Sequence, residues 1–238
     1  MRFLRCFVAI NISHIIAKHV PFRLMRLPGV GAALFAWLQS ADFYYQLHKY
    51  AVELLPPGEN QLWYDVGCGP GLVARLAAGH GYRATGFDMS AAMIKQAHRI
   101  SALQYSSARF TPQGIEALAA STAPSAEVVS AASLIAVLDD KVAGLNQLWQ
   151  LVAPGGALLI IEPTNKMAVT AALSLLRAGL PGRHSSGLLF WARARQGRSA
   201  AVVVRAWQPA GEIERHYTPL LDGLVGAWIF RKRTNPDD

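Results

Sequence analysis

The sequence predicts an α/β fold, a doubly wound and mostly parallel sheet wrapped by helices, on three observations. From Gln61 onward short apolar runs alternate with helical segments, which is the rhythm of parallel strands joined by crossovers. The run GALLIIEP (156–163) is apolar almost throughout, as a strand covered on both faces must be. The last two runs, EIERHYTPL and GLVGAWIFRK, are joined through Leu221-Asp222-Gly223 and read as a terminal hairpin.

The elements follow in order. LWYDV (62–66) reads as a short buried strand, and a helix from Leu72 to Ala78 starts directly from a glycine turn. YRATGFD (82–88) is the second strand, and Ser90 is placed to cap the helix AAMIKQAHRI. ARFT (108–111) is a brief third strand, and EVVSAA (127–132) is the fourth. Asp139 or Asp140 caps the helix KVAGLNQLWQLV, which is expected to stop at APGG before the fifth strand (156–163). After Pro163 come helix-like AVTAALSLL, the breakers AGLPGRHSSG and then LLFWARARQGR, which together read as an inserted lid over about 164–200. AAVVVRAW (200–207) fits a β-branched strand and a last helix equally well.

Composition sets the outer bounds. The 238 residues suffice for one large domain, and 52% hydrophobic with 16% charged residues is a globular balance. Cys6 and Cys68 stand far apart, so there is neither a disulfide framework nor a zinc quartet, and the reduced cytoplasm is the expected compartment. The net charge of +8 is uneven: residues 1–41 carry +5, residues 42–165 carry −3 and residues 166–238 carry +6. Basic flanks around an acidic middle point to an anionic surface, or simply to arginines on solvated faces. No apolar run reaches the roughly 18–20 residues that span a bilayer. Residues 1–45 are expected to be a helical extension of the main domain (46–238). Its first thirty residues, apolar on one side with Arg2, Arg5, Lys18 and Arg23 on the other, suit a helix lying on the inner face of a membrane. A helix packed on the domain is the alternative.

The glycine turn is the most informative stretch. Gly67-Cys68-Gly69-Pro70-Gly71 is G-x-G-x-G, and Leu72 stands where a dinucleotide fingerprint needs its third glycine. No Gly-Lys-Ser/Thr follows, so it is not a phosphate loop. Asp65 precedes the turn, where a carboxylate would repel pyrophosphate and suit a cation or an amine.

These residues resemble the first motif of the class I S-adenosylmethionine-dependent methyltransferases, which have a Rossmann-like sheet. GFDMSAAMI resembles their second signature, and LVAPGGALLIIEP resembles the segment entering their fifth strand. The resemblance covers about residues 60–163 and is similar to the quinone-biosynthesis type in the cofactor half. It implies seven strands with the last one antiparallel, and S-adenosyl-L-methionine as cofactor. By the same resemblance the main chain at Gly67, Cys68, Gly69 and Gly71 approaches the methionine and ribose parts, with Asp65 near the amino-acid group. Asp88 accepts from the ribose hydroxyls, Met89 packs on the adenine, and Ser130 lies beneath the sulfonium. Where the family carries an acidic residue for the adenine amine, this sequence has Gln113 followed by Gly114.

The acceptor is less legible. A displacement at a sulfonium methyl needs alignment above all, and a hydroxyl acceptor gains from a general base. LIAVLDD after the fourth strand holds no histidine, which leaves His184 in the lid as the candidate base. No metal site is expected. EVVSAASLIAV has no Pro-Pro pair for base-amine methylation, and the only cysteine near the site lies in the cofactor turn, so nucleic acid is not the expected partner. The expectation is a lipophilic small molecule: a phenolic, a quinone precursor, a polyketide-type metabolite or a lipid. An RNA or protein methyltransferase and a non-catalytic cofactor-binding protein stand as alternatives.

Overall fold

Parallel strands need both faces covered, and the chain supplies two sets of apolar side chains to do so. The computed structural model describes residues 29–195 and 197–233. Two helices come first, α1 (Val30–Gln39) and α2 (Asp42–Glu53). Then β1 (Leu62–Val66), α3 (Leu72–Gly79), β2 (Arg83–Asp88), α4 (Ala91–Leu103), β3 (Arg109–Pro112) and α5 (Ile115–Ala119) build one half. The second half holds β4 (Ala126–Ala132), α6 (Lys141–Gln150), β5 (Val152–Pro163), α7 (Val169–Arg177), α8 (Gly187–Arg195), α9 (Ala201–Ala206), β6 (Ile213–Leu220) and β7 (Val225–Lys232).

The sheet has seven strands in the order β3-β2-β1-β4-β5-β7-β6, parallel except for β7, which runs antiparallel to both neighbours. Strand alternation sorts the core. Leu159 and Ile161 of β5 join Ala227 and Ile229 of β7 on the face covered by α2, α3 and α8. Leu158, Ile160, Trp228 and Phe230 point to the other face, against Leu145 and Leu148 of α6 and Val204 of α9. Helix starts follow the expected caps: Ser90 Oγ accepts from the Met93 N–H, and Asp140 Oδ1 accepts from the Ala143 N–H at 2.9 Å.

One local expectation is corrected, and one reading left open is resolved. The helix expected through Val152 ends at Gln150, and β5 begins at Val152, which pairs with Ala126. The Pro154-Gly155-Gly156 stretch is thereby part of the strand, with a register shift on the β4 side. AAVVVRAW resolves to helix, because Val204 and Trp207 are buried against β7 and α6. The helical region before β1 continues past residue 45 to Glu53. The membrane-facing helix expected in the first thirty residues falls almost wholly on residues 1–28, outside the described residues.

Strand order reverses between β1 and β4. Their carboxyl ends, facing away from the turns that feed them, open the crevice where doubly wound sheets bind ligands.

Candidate cofactor and acceptor site

The turn after β1 is fixed from below and from the side. Gly67 and Gly71 have φ of 70° and 83°, a region that only glycine enters without strain. A Cβ on Gly71 would lie 2.4 Å from Phe110 Cε1, and one on Gly67 would lie 2.8 Å from Leu134 Cδ1. Sterics therefore exclude a side chain at both ends of the turn. The N–H groups of Gly67 and Cys68 both donate to the Phe87 carbonyl, at 2.7 and 3.0 Å. Gly69 N–H donates to Asp88 Oδ2 at 2.9 Å, and Ser90 N–H donates to Asp88 Oδ1 at 2.8 Å. Asp88 thus ties the glycine turn to the end of β2. Each of its oxygens keeps a further lone pair for a ligand.

A cavity of about 660 Å³ opens at this point. Gly67, Gly69, Asp88, Met89, Gln113 and Gly114 line it, together with Ala132 to Leu134 after β4. Phe35 of α1 and Arg195 of α8 reach it from the flanking helices. Among the described residues, four carboxylates, on Asp88, Glu116, Asp139 and Asp140, border it against the single guanidinium of Arg195. That balance disfavours a pyrophosphate and suits a cationic ligand. Met89 is 86% exposed, so its thioether is free to cover a planar ring.

Beneath the turn lies a buried polar layer. Asp65 and Ser130 are register partners in β1 and β4, and Ser130 Oγ donates to Asp65 Oδ1 at 2.8 Å. Ser130 in turn accepts from Trp63 Nε1 at 2.8 Å. Burial pushes the Asp65 carboxyl up to about 7, opposed by the Ser130 hydroxyl. Ser130 is wholly buried and stands behind Asp65 instead of lining the larger cavity. The Cys68 thiol packs among Ala74, Ile94, Ala97 and Phe110, and burial pushes it well above the ordinary thiol range. It is a small filler under the turn.

A second, water-sized cavity adjoins the turn, between Gly67 and the covering helices. Gln39, Tyr44 and His48 line it from α1 and α2, and Asp65 and Cys68 from β1 and its turn. Tyr44 and His48 are stacked at 4.2 Å, and the Tyr44 ring also lies 4.9 Å from Trp191 of α8. Gln39 Oε1, His48 Nε2, Glu162 Oε2 and Trp191 Nε1 are buried with no hydrogen-bond partner among the described residues. Burial raises the Glu162 carboxyl to about 7, with the Arg195 charge opposing it. Arg195 also donates to the Ser133 carbonyl at 2.8 Å, which joins α8 to the loop after β4.

His184 lies elsewhere. It is exposed, its Nδ1 accepts from Trp37 Nε1 at 3.2 Å, and it lines neither cavity. Its neighbour Arg183 donates its N–H to Asp42 Oδ2 at 2.7 Å, so this loop is fastened to the start of α2. Of the sequence-derived residues, the structure gathers Gly67, Gly69, Asp88, Met89, Gln113 and Gly114 around one cavity. Asp65, Cys68 and Ser130 sit below it, Gly71 holds the turn, and His184 stands apart. Tyr44, His48 and Arg195 carry no sequence signal of their own, whereas Glu162 closes the LVAPGGALLIIEP segment. Tyr44 and His48 sit one helical turn apart on the buried stripe of α2, where they read as core.

The strand order, the glycine turn and the acidic end of β2 together define the fold of one enzyme class. A family model described as a methyltransferase domain matches residues 64–156, and the chain has the fold of the class I S-adenosylmethionine-dependent methyltransferases. It is 30% identical over 115 residues to the ubiquinone biosynthesis O-methyltransferase of Psychrobacter arcticus, covering 48% of this chain and 44% of that protein. The chain thus spans about half the length of the curated relatives it matches. A Methanococcus maripaludis protein described as an S-adenosylmethionine-dependent methyltransferase shares the fold with a TM-score of 0.62. The two are 14% identical over 87% of this chain and 94% of the other. Magnesium protoporphyrin IX methyltransferase from Synechocystis PCC 6803, solved with bound SAH, aligns with a TM-score of 0.56. Identity there is 15% over 86% of this chain and 95% of the other.

Proposed function

We propose that the protein transfers the methyl group of S-adenosylmethionine to a lipophilic small molecule, such as a phenolic, a quinone precursor, a polyketide-type metabolite or a lipid. The observation that carries this reading is the 660 Å³ cavity itself. The first two motif segments line it, it lies at the reversal of strand order, and carboxylates border it. When bound, S-adenosylmethionine supplies an electrophilic methyl group on a positive sulfonium.

The chain's own residues do the holding. Asp88 accepts from the ribose hydroxyls with the lone pairs that Gly69 and Ser90 leave free. Met89 covers the adenine and Gln113 accepts from its amine, with Gly114 leaving room beside them. Gly67, Cys68, Gly69 and Gly71 offer a bare or closely approaching main chain. Asp65, held by Ser130, answers the amino-acid end of the cofactor.

Several features support a greasy acceptor. Phe35, Leu134 and Leu138 give the larger cavity an apolar side. An apolar groove of about 590 Å³, lined by Phe43, Leu47, Leu180 and Leu221, runs along the other side of α2 from His48. The similarity to ubiquinone biosynthesis O-methyltransferases favours the same class. The basic charge of residues 1–41 further supports contact with an anionic membrane surface. Among the described residues no helix is long and apolar enough to cross a membrane.

The test is incubation with methyl-labelled cofactor, followed by separation of organic-extract, RNA and protein fractions. Label is expected in the organic extract. Label confined to RNA or protein, or none in any fraction, overturns the reading.

A further inference from the structure

We propose that the cavity between α1, α3 and α4 is a second ligand site, separate from the cofactor crevice, and that it binds a phosphate-bearing molecule. The inference goes beyond the methyl-transfer reading and stands without it.

The cavity measures about 630 Å³, within the range of about 300–1,000 Å³ that small-molecule sites occupy. Ala33 and Ala36 of α1 line one wall, where small side chains leave the space open. Gln96, Arg99, Ile100 and Leu103 of α4 line another, spaced i, i+3, i+4 and i+7 along one helix face. Leu72 and Arg75 of α3 complete it, with Arg183 reaching in from the loop fastened to Asp42. None of these residues lines the cofactor cavity, so the two spaces are distinct.

Charge decides what such a space holds. Among the described residues, Arg75, Arg99 and Arg183 line it against one carboxylate, on Asp42. The cofactor cavity has the opposite balance. Asp42 is already engaged, 3.4 Å from the Arg183 guanidinium. Arg75 and Arg99 have no ion pair among the described residues. Guanidinium groups gathered around one cavity repel one another, and an anion among them turns that repulsion into attraction.

Arg75 carries the argument because it is only 9% exposed. Its Nε donates to Gln104 Oε1 at 2.9 Å and its Nη1 to the Pro70 carbonyl at 2.6 Å. Those neutral acceptors orient the guanidinium without neutralising it. Nη2 makes no hydrogen bond among the described residues. Arg75 also lines a neighbouring cavity of about 280 Å³ with Tyr45 and Tyr105, so it stands where two open spaces meet. Buried charges are paired as a rule, because desolvation is otherwise uncompensated. Arg75 further lies in the first turn of α3, at the positive end of the helix dipole. Burial lowers its pKa to about 10, so it stays charged at neutral pH. A bound anion relieves both the burial and the dipole.

Phosphate fits this setting better than a carboxylate. Its several oxygens take guanidinium forks from different directions at once. Ser40, Gln46 and Gln96 supply neutral donors, and Leu72, Ile100 and Leu103 give apolar surface for an organic group attached to the phosphate.

The test titrates the full chain with inorganic phosphate by calorimetry, at an ionic strength fixed with sodium chloride. Saturable binding is expected both without S-adenosylhomocysteine and with that ligand saturating. Arg99 and Arg183 are exposed, so Arg99→Gln and Arg183→Gln should fold normally and keep S-adenosylhomocysteine affinity. Each should weaken phosphate by at least about tenfold, the effect of losing a hydrogen bond between charged groups. Arg75→Gln should abolish phosphate binding; if the lost Pro70 contact unfolds it, the two exposed variants decide. Phosphatidylcholine vesicles with and without phosphatidic acid identify the source. Phosphatidic acid vesicles that retain wild type but not Arg99→Gln, and release it to free phosphate, identify a lipid headgroup. Phosphate binding without such retention identifies a soluble phosphate ester, and either result supports the site.

No saturable heat above the chloride background overturns the proposal, as does undiminished affinity in both Arg99→Gln and Arg183→Gln. Displacement of phosphate by S-adenosylhomocysteine would put the anion in the cofactor cavity and overturns it too.

Discussion

Gly69 and Asp88 meet across the crevice, the main-chain N–H of the first donating to Oδ2 of the second at 2.9 Å. One carboxylate therefore shapes the turn and also faces the ligand. Asp88→Ala should remove both functions. S-adenosylhomocysteine affinity is expected to fall by more than about 30-fold in calorimetry, since hydrogen bonds to a charged group contribute about 1.5–3 kcal/mol each. Affinity within threefold of wild type would mean that the cofactor binds elsewhere.

Gly71→Ala tests the turn from the other side. Its Cβ would lie 2.4 Å from Phe110 Cε1 at a φ of 83°. Urea denaturation should show a loss of about 2–3 kcal/mol, from overpacking and left-handed strain together. Combining it with Phe110→Leu should cost less than the two separate losses added, because the shorter side chain removes the clash but leaves the strain.

Glu162 gives a pH signature. Burial raises its pKa from 4.5 to about 7. Between those values the folded protein holds a proton that the unfolded chain releases, so this group's stabilising contribution falls as pH rises and levels off above 7. His48 works in the opposite sense: its pKa falls from 6.5 to about 4, and its contribution rises with pH across that window. Glu162→Gln cannot ionise and should therefore gain on wild type between pH 5 and pH 8. The gain should be roughly 1–3 kcal/mol at about 1.36 kcal/mol per pKa unit, measured as the difference in Tm or in denaturant midpoint. A difference independent of pH would place the carboxylate in a less desolvated setting.

Deleting residues 1–28 removes all five basic side chains of the first segment. At about 1 kcal/mol per Lys or Arg near an anionic surface, the truncated protein should stop sedimenting with phosphatidylserine vesicles and keep its circular dichroism. Equal sedimentation of both forms, or none by the full chain, would count against a membrane role.

Most of the sheet was readable because parallel strands are short apolar runs with glycine and capping residues between them. Leu62–Val66, Asp88 at the end of β2 and the hairpin after Ile213 all carry that signal locally. Pro154-Gly155-Gly156 misled because the residues that usually end an element here bend β5 without ending it, and the pairing of Val152 with Ala126 lies far away in sequence. AAVVVRAW has strand-like residues, yet Trp207 against Phe230 and Val204 against α6 decide for helix. His184 stands in an exposed lid loop, whereas His48 lies in the i, i+4 pattern of an ordinary core stripe. Only the folded chain brings it beside Asp65.

The place of β7 has a consequence for how such a protein can change. β5 and β6 never touch, because β7 lies between them and pairs with both. The helices α7, α8 and α9 leave after Pro163 and return at Ile213, so their length does not enter the register of any strand pair. Residues between those points can be lengthened, shortened or exchanged while the ladder stays in step. The register of the ladder is thus set independently of how these helices diverge.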